Sequence, residues 1–260
     1  MEQLAHLEDI QIVESCWNGF HRIDFQFSGR DALLVFPEHA ANGNPWAQYT
    51  EYFGAFPDTA LALVAKGYHL AYIQNTHRWG CEADYLLKKK FEQFLSKKFG
   101  LATRSTLIGM SCGGMIAVHV AARFPERVEA LYLDAPVMNL LSCPLGVGVG
   151  RTDQALVDEC LQALSTTVSE LISFRGHPLD QIPELIKASI PVVMVYGGTD
   201  LTVPYTENGQ LLEKAYRNAG CPIVVWGKPE CDHHPHGLKN PGPVVEQLEA
   251  WRKLRISEQQ

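Results

Sequence analysis

One serine, two aspartates and a cluster of histidines lie far apart along the chain, at places where they could act together on a carbonyl. The serine sits in "LIGMSCGGMIAVHVA", residues 107–121, where an apolar strand pattern enters a turn of small residues and leaves it as an apolar helix pattern. Gly109-Met110-Ser111-Cys112-Gly113 fits G-x-S-x-G and is followed by Gly114. A chain that reverses so sharply lifts the serine into a strained, exposed position, and small neighbours let the following helix pass close by. The helix start aims unpaired N–H groups and its positive dipole end at the same spot, where a developing oxyanion would be stabilised. The plainer alternative is a glycine-rich helix start with a capping serine. The strand before and the helix after favour a nucleophile turn.

A serine hydroxyl is a poor nucleophile without a base, and the base needs a carboxylate to orient it. Turns of this type take their partners in the chain order serine, acid, histidine. The strand pattern "PVVMVYGG" is followed by Thr199-Asp200, so Asp200 is the expected acid. An ordinary turn or capping aspartate is its plainer reading. Asp134 in "LYLDAP" also ends a strand, beside the serine strand, and is the rival acid. After the last strand pattern, "PIVVWGKP", comes "ECDHHPHGLKNP". His233 is the first histidine there and the expected base, with His236 second and His234 third. No cysteine or carboxylate set at ligand spacing completes a metal site around them, so no metal or other cofactor is expected.

The oxyanion hole needs two N–H donors. Cys112, next after the nucleophile, is one, and Glu38 or His39, in the loop after "LLVFP", is the expected second. Cys112 itself reads as a small residue fitted under the turn. Trp46, Arg78, Trp79, Glu207 and Asn208 fall in loops or at a helix start near the expected active face. With His236 they are candidate substrate contacts, although Trp46 reads first as a loop-anchoring core residue and Arg78 first as a surface or salt-bridged group.

The elements that must position these groups alternate. "DIQIVESCW" and "RIDFQF" around Asn18-Gly19 read as an antiparallel hairpin. "DALLVFP", "YHLAYIQ", "STLIGM", "VEALYLDAP", "PVVMVYGG" and "PIVVWGKP" read as strands. Helical patterns stand between most of them, in "DTALALVAKG", "ADYLLKKKFEQFLSKKFG", "GGMIAVHVAARF" and "YTENGQLLEKAYRNAG". A last helix follows in "PVVEQLEAWRKL". Leading antiparallel strands and then strand–helix repeats imply a single α/β domain over residues 1–260, with a mostly parallel, doubly wound sheet. Ligands bind beyond the carboxyl ends of such strands. The rhythm breaks over residues 137–189, with "PLGVGVG" and two or three helical patterns, which read as a cap insertion over the site.

The chain has 260 residues, 46% of them hydrophobic, and a formal net charge of -7. That is enough for one sizeable core and offers no basic patch for nucleic acid. The run Lys88-Lys89-Lys90 lies in an amphipathic helix pattern and reads as a solvated face. No uninterrupted apolar stretch reaches the ~18 residues of a membrane span. The start shows no secretory pattern, and the 7 cysteines have no paired spacing. A cytoplasmic protein with reduced, mostly buried thiols is expected, with no membrane partner.

With "GMSCGG", "GGTDLTVP" and "HHPHGLKNP" in this order, the chain resembles the α/β-hydrolase superfamily over nearly its whole length. The resemblance implies an α/β-hydrolase fold with Ser111 as nucleophile, Asp200 as acid and His233 as base. "NGNPWAQYTEYFGAFPDTALALVAKGYHLAY", "YLDAPVMN", "VPYTENGQLLEKAY" and "KPECDHHPHGL" look like a narrower bacterial group of acetylxylan-esterase-like and prolyl-oligopeptidase-type hydrolases. In that group the turn reads GMSRGG, and here Cys112 replaces the arginine. The group has glycines before the first histidine, where this chain has Glu230, Cys231 and Asp232; a carboxylate there would tend to raise the histidine's pKa. The expected activity is cleavage of a small-molecule or carbohydrate ester with a short acyl group, through an acyl-enzyme. A peptidase or amidase, a thioesterase, and a silent binding protein on the same fold are the alternatives.

Overall fold

The computed structural model describes residues 11–258. Asp9 and Ile10 of the expected first strand lie outside them. The hairpin forms as β1 (Ile12–Trp17) and β2 (Phe20–Phe27), joined by Asn18-Gly19 alone. Both turn residues have positive φ, 48° and 88°, the backbone a two-residue hairpin with right-handed twist requires. β3 (Arg30–Val35) runs antiparallel to β2 and to β5 (His69–Ile73). From there the sheet is parallel through β4 (Trp46–Tyr49), β6 (Ser105–Met110), β7 (Val128–Asp134), β8 (Val192–Gly197) and β9 (Ile223–Lys228). The strand order is β1-β2-β3-β5-β4-β6-β7-β8-β9.

The period of two along the central strands sorts their side chains between two helical layers. Ile108, Met110, Ala130, Tyr132, Val193 and Val195 meet α1 (Asp58–Ala65) and α8 (Gly242–Glu258) through Leu63, Val64, Val244 and Leu248. The alternate residues Leu107, Leu131, Leu133, Val192 and Met194 meet α3 (Cys112–Arg123) and α7 (Gly209–Ala219). α2 (Glu82–Phe99) covers the antiparallel end of the same face with Phe91, Leu95 and Phe99. Gly100 closes α2 in the left-handed conformation, φ 65°.

The lysine run is corrected in part. Lys90 is exposed, but Lys88 is only 1% exposed and its Nζ donates to the Ile73 carbonyl at 3.3 Å. Burial lowers its pKa to about 8, and raises that of Glu92, one turn further and fully buried, to about 8.

Residues 137–189 divide between two places. α4 (Gln154–Leu164) and α5 (Val168–Ser173) bring Cys160 and Leu171 into a cluster with Trp79, Cys112, Leu140 and Cys143, at the carboxyl ends of the strands. α6 (Ile182–Lys187) instead buries Ile182 and Leu185 in the layer of α3 and α7. None of the seven cysteines is paired, and Cys112, Cys143 and Cys160 are the buried ones. No helix among the described residues is long and apolar enough to cross a membrane.

The close pass of α3 behind β6 sets a packing prediction. A Cβ on Gly109 would lie 2.7 Å from the Gly113 carbonyl oxygen and 2.8 Å from the Gly114 Cα. Both are backbone atoms that cannot rotate away. Gly109→Ala therefore destabilises by about 1–3 kcal/mol. The melting temperature falls by roughly 2–4 °C for each of these kcal/mol. An unchanged melting temperature would show that helix and strand can separate freely.

Candidate active site

β6 ends at Met110, and the next residue, Ser111, has φ 53° and ψ -124°. A side chain is strained in that conformation and holds it only where the surroundings impose it. Here the Ser111 N–H donates to the Asp134 carbonyl at 2.9 Å, and its own carbonyl accepts from Gly114 and Val137 at 2.9 and 3.0 Å. The elbow is thus fastened to the end of β7 and to the first turn of α3. Cys112 opens α3 and its N–H is a helix-start donor without an intrahelical acceptor.

The loops after β8 and β9 bring the other two groups to the serine. The Ser111 hydroxyl donates to His233 Nε2 at 3.1 Å, and His233 Nδ1–H donates to Asp200 Oδ2 at 2.8 Å. Asp200 is buried, and its other oxygen accepts the N–H groups of Thr202 and Val203, each at 2.8 Å. The carboxylate is therefore fixed by its own turn before it meets the imidazole. Asp232 uses one oxygen on the His233 backbone N–H at 2.8 Å and stands 3.8 Å from Arg151. That hydrogen bond lowers its pKa.

The rival acid has a different histidine. Asp134 Oδ1 accepts from His236 Nδ1–H at 2.8 Å, and Oδ2 accepts from the Gly237 N–H and the Tyr132 hydroxyl. His236 stands edge-on to His233, with ring centroids 4.9 Å apart. His234 is the exposed member and stacks on Phe56 at 5.3 Å. Burial and the two neighbouring histidines lower its pKa. One ring nitrogen from each of the three lies within 4.8 Å of the others. The serine–histidine–aspartate chain itself needs no cofactor for acyl transfer.

A cavity of about 350 Å³ opens onto Ser111, lined by Tyr52, Phe56, Arg78, Trp79, Cys112, Cys143, Leu156 and the histidines. Arg78 and Trp79 are therefore where the sequence places them. Arg78 Nε donates to Glu159 on α4 at 2.8 Å, which ties the helix to the cavity mouth. The Trp79 ring is 1% exposed, and its Nε1 is buried with no acceptor among the described residues. The Cys112 thiol meets the Tyr52 hydroxyl, with the Arg78 charge nearby, and burial pushes its pKa up to about 11. It is a neutral wall of the cavity at neutral pH.

Several sequence expectations are corrected. β3 runs against the parallel strands, so the loop after it emerges at their amino ends. Glu38 and His39 are exposed there, beside Gly67 at the end of α1, away from Ser111. The strand whose following loop lies beside the elbow is β4, four residues long and unrecognised in the sequence. Thr50, just after it, donates its hydroxyl to the Gly113 carbonyl at 2.6 Å, and Tyr52 has φ 55° beside the elbow. Trp46 begins β4, at the amino ends of the strands, where its Nε1 donates to the Ala102 carbonyl at 2.8 Å; it is a core residue. Glu207 accepts from the Ser142 hydroxyl and the Val149 N–H, both at 2.7 Å. Asn208 accepts from the N–H groups of Met138 and Asn139. These two hold the 138–149 segment in place and do not line the cavity.

A family model described as the alpha/beta hydrolase fold matches residues 91–148, from α2 through the elbow to the segment after β7. Acylamino-acid-releasing enzyme of Arabidopsis thaliana is 28% identical over 140 residues, 51% of this chain and 17% of its own. Acylamino-acid-releasing enzyme 2 of Oryza sativa subsp. japonica is 26% identical over 60% of this chain and 20% of its own. The chain thus matches a fifth or less of the length of these two relatives. An acetyl xylan esterase from Paenibacillus sp. R4 superposes with a TM-score of 0.63 at 15% identity, over 93% of this chain and 88% of its own. Pyrococcus horikoshii acylaminoacyl peptidase superposes with a TM-score of 0.61 at 12% identity, over 96% and 41%. With the topology above, these similarities show that the chain has the α/β-hydrolase fold.

Proposed function

We propose that the protein is a serine hydrolase acting on short-acyl carboxylic esters, acetylated carbohydrates among them. The observation that carries this is the unbroken hydrogen-bonded chain from Ser111 through His233 to Asp200, at 3.1 and 2.8 Å. The Ser111 oxygen attacks the carbonyl carbon as its proton passes to His233 Nε2, and Asp200 stabilises the imidazolium. The oxyanion is held by the Cys112 N–H and by a second N–H from the Glu51–Tyr52 segment after β4. Collapse returns the proton to the leaving alcohol and leaves an acyl-enzyme. Water, deprotonated by the same histidine, then releases the acid.

The cavity walls around the serine include Trp79, Cys143 and Leu156, whose apolar surfaces suit an acyl group. The acetyl xylan esterase that shares the fold adds weight to ester chemistry, and the acylamino-acid-releasing relatives keep amide cleavage as the reading to beat.

Initial rates on p-nitrophenyl esters from acetate to octanoate, beside N-acetylalanine p-nitroanilide, decide between them. The expected result is a maximum at acetate or butyrate and a decline of roughly tenfold or more at octanoate, the size of effect a pocket exerts on unwanted methylenes. An anilide rate equal to the ester rates would replace the esterase by a peptidase. Failure of Ser111 to react with a fluorophosphonate would replace both by a binding protein.

A further inference from the structure

The triad uses one histidine of three that converge on the same point. His233, His234 and His236 each bring a ring nitrogen to within 4.8 Å of the others. Their rings are splayed, at 59° to 87° to one another, with centroids 4.8 to 5.0 Å apart. Two of them are already prepared as ligands. His233 and His236 each donate Nδ1–H to a buried carboxylate, Asp200 and Asp134, both at 2.8 Å. This bond fixes the tautomer, turns the Nε2 lone pair outward and makes it more basic, as the outer-shell carboxylate of a metal-bound histidine does. His234 is exposed and lines the same cavity, so an ion has a path in and the third ligand has freedom to turn.

We propose that these three histidines form a site for a borderline transition-metal dication, Zn²⁺ first, and that the bound ion switches off Ser111. A set of imidazoles alone selects Zn²⁺, Co²⁺, Ni²⁺ or Cu²⁺ and rejects Mg²⁺ and Ca²⁺, which require oxygen ligands. Bonds of 2.0–2.1 Å to a tetrahedral ion set the nitrogens about 3.4 Å apart, so the rings close by about 1.4 Å at most. His234, the exposed ring, can turn toward the ion, and His233 and His236 close the remainder by pivoting on their bonds to Asp200 and Asp134. The ion takes the lone pair of His233 Nε2, the one that accepts the serine proton. No covalent bond breaks; the Ser111–His233 hydrogen bond is given up to the ion, and removal of the ion restores it and the base. The switching half rests on the proposed function; the binding half does not.

The test uses the full chain, stripped with EDTA and titrated with Co²⁺ at neutral pH. One Co²⁺ per chain with visible d–d absorption, displaced by one equivalent of Zn²⁺ and not by Mg²⁺, is the expected result. Both His234→Ala and His234→Phe, which keeps a ring against Phe56, weaken Co²⁺ by about tenfold or more. Zn²⁺ inhibits p-nitrophenyl acetate hydrolysis with the midpoint at which it displaces Co²⁺, and EDTA reverses it. Absence of the absorption, or binding untouched by either His234 variant, overturns the site. Saturating Zn²⁺ without loss of rate overturns the switch. If no ester is hydrolysed, the esterase reading fails, while the Co²⁺ titration still decides the site. Zn²⁺ protection of Ser111 from a fluorophosphonate then decides the switch.

Discussion

Replacing Ser111 by alanine lowers kcat/KM for p-nitrophenyl acetate by about 10⁴-fold or more, to the level that oxyanion donors and binding sustain alone. The reason is chemical. The hydroxyl supplies the atom that bonds to the carbonyl carbon, and no nearby group replaces it. Cys112 is the nearest other nucleophile, and its raised pKa of about 11 keeps it a thiol. The fold does not depend on the hydroxyl, whose partner is His233, so the variant melts at or above the parent temperature. A second substitution separates chemistry from strain. Ser111→Gly is equally inactive, and it relieves a positive φ of 53° that an alanine still bears. Strain of this kind costs about 1–3 kcal/mol. The added freedom of glycine in the unfolded chain costs about 0.4–1 kcal/mol. The relief is the larger of the two, so Ser111→Gly melts above Ser111→Ala. A Ser111→Ala protein that keeps its rate would end the proposed mechanism.

That the serine was legible in the sequence and the strand leading to the loop beside it was not has one physical origin. The elbow announces itself locally: steric limits demand glycines at fixed offsets from Ser111, and strand and helix patterns flank it. The strand leading to the loop beside the elbow is the four-residue "WAQY", buried on both faces, too short to show a period and preceded by Asn and Pro. Without it β3 reads as a parallel strand, and the expected donor falls on Glu38 and His39. Direction within a sheet is a tertiary property; only the pairing of β3 with β5 reveals it. Trp46, Glu207 and Lys88 were misplaced for a related reason. Composition says that a tryptophan, a carboxylate or a lysine in such places can be exposed. Whether it is depends on partners distant in the chain: the Ala102 carbonyl, Ser142 with Val149, and the Ile73 carbonyl. The helices and the strands longer than four residues were recovered because their signals are periodic and local.

The two aspartates that the sequence left in competition are separated by their effects on rate. Asp200→Asn lowers kcat by about 10⁴-fold, because the amide no longer holds the tautomer and charge of His233. Its oxygen still serves the Thr202 and Val203 N–H groups, but the amide now faces His233 Nδ1–H, so stability also falls, by about 1–3 kcal/mol. Asp134→Asn shares that loss of stability and keeps far more of the rate. Asp134 accepts from His236, Gly237 and Tyr132 in a buried site, and an amide cannot accept on both sides. One donor is left unpaired, at a cost of about 1–3 kcal/mol in stability. His236 touches His233 only ring edge to ring face, so the rate falls by about tenfold or less, a positioning effect. Paired measurements of kcat and melting temperature on the two variants decide the assignment. If Asp134→Asn carried the large loss of kcat and Asp200→Asn only the loss of stability, the base would be His236, and the hydrogen bond between Ser111 and His233 would not be the one that acts.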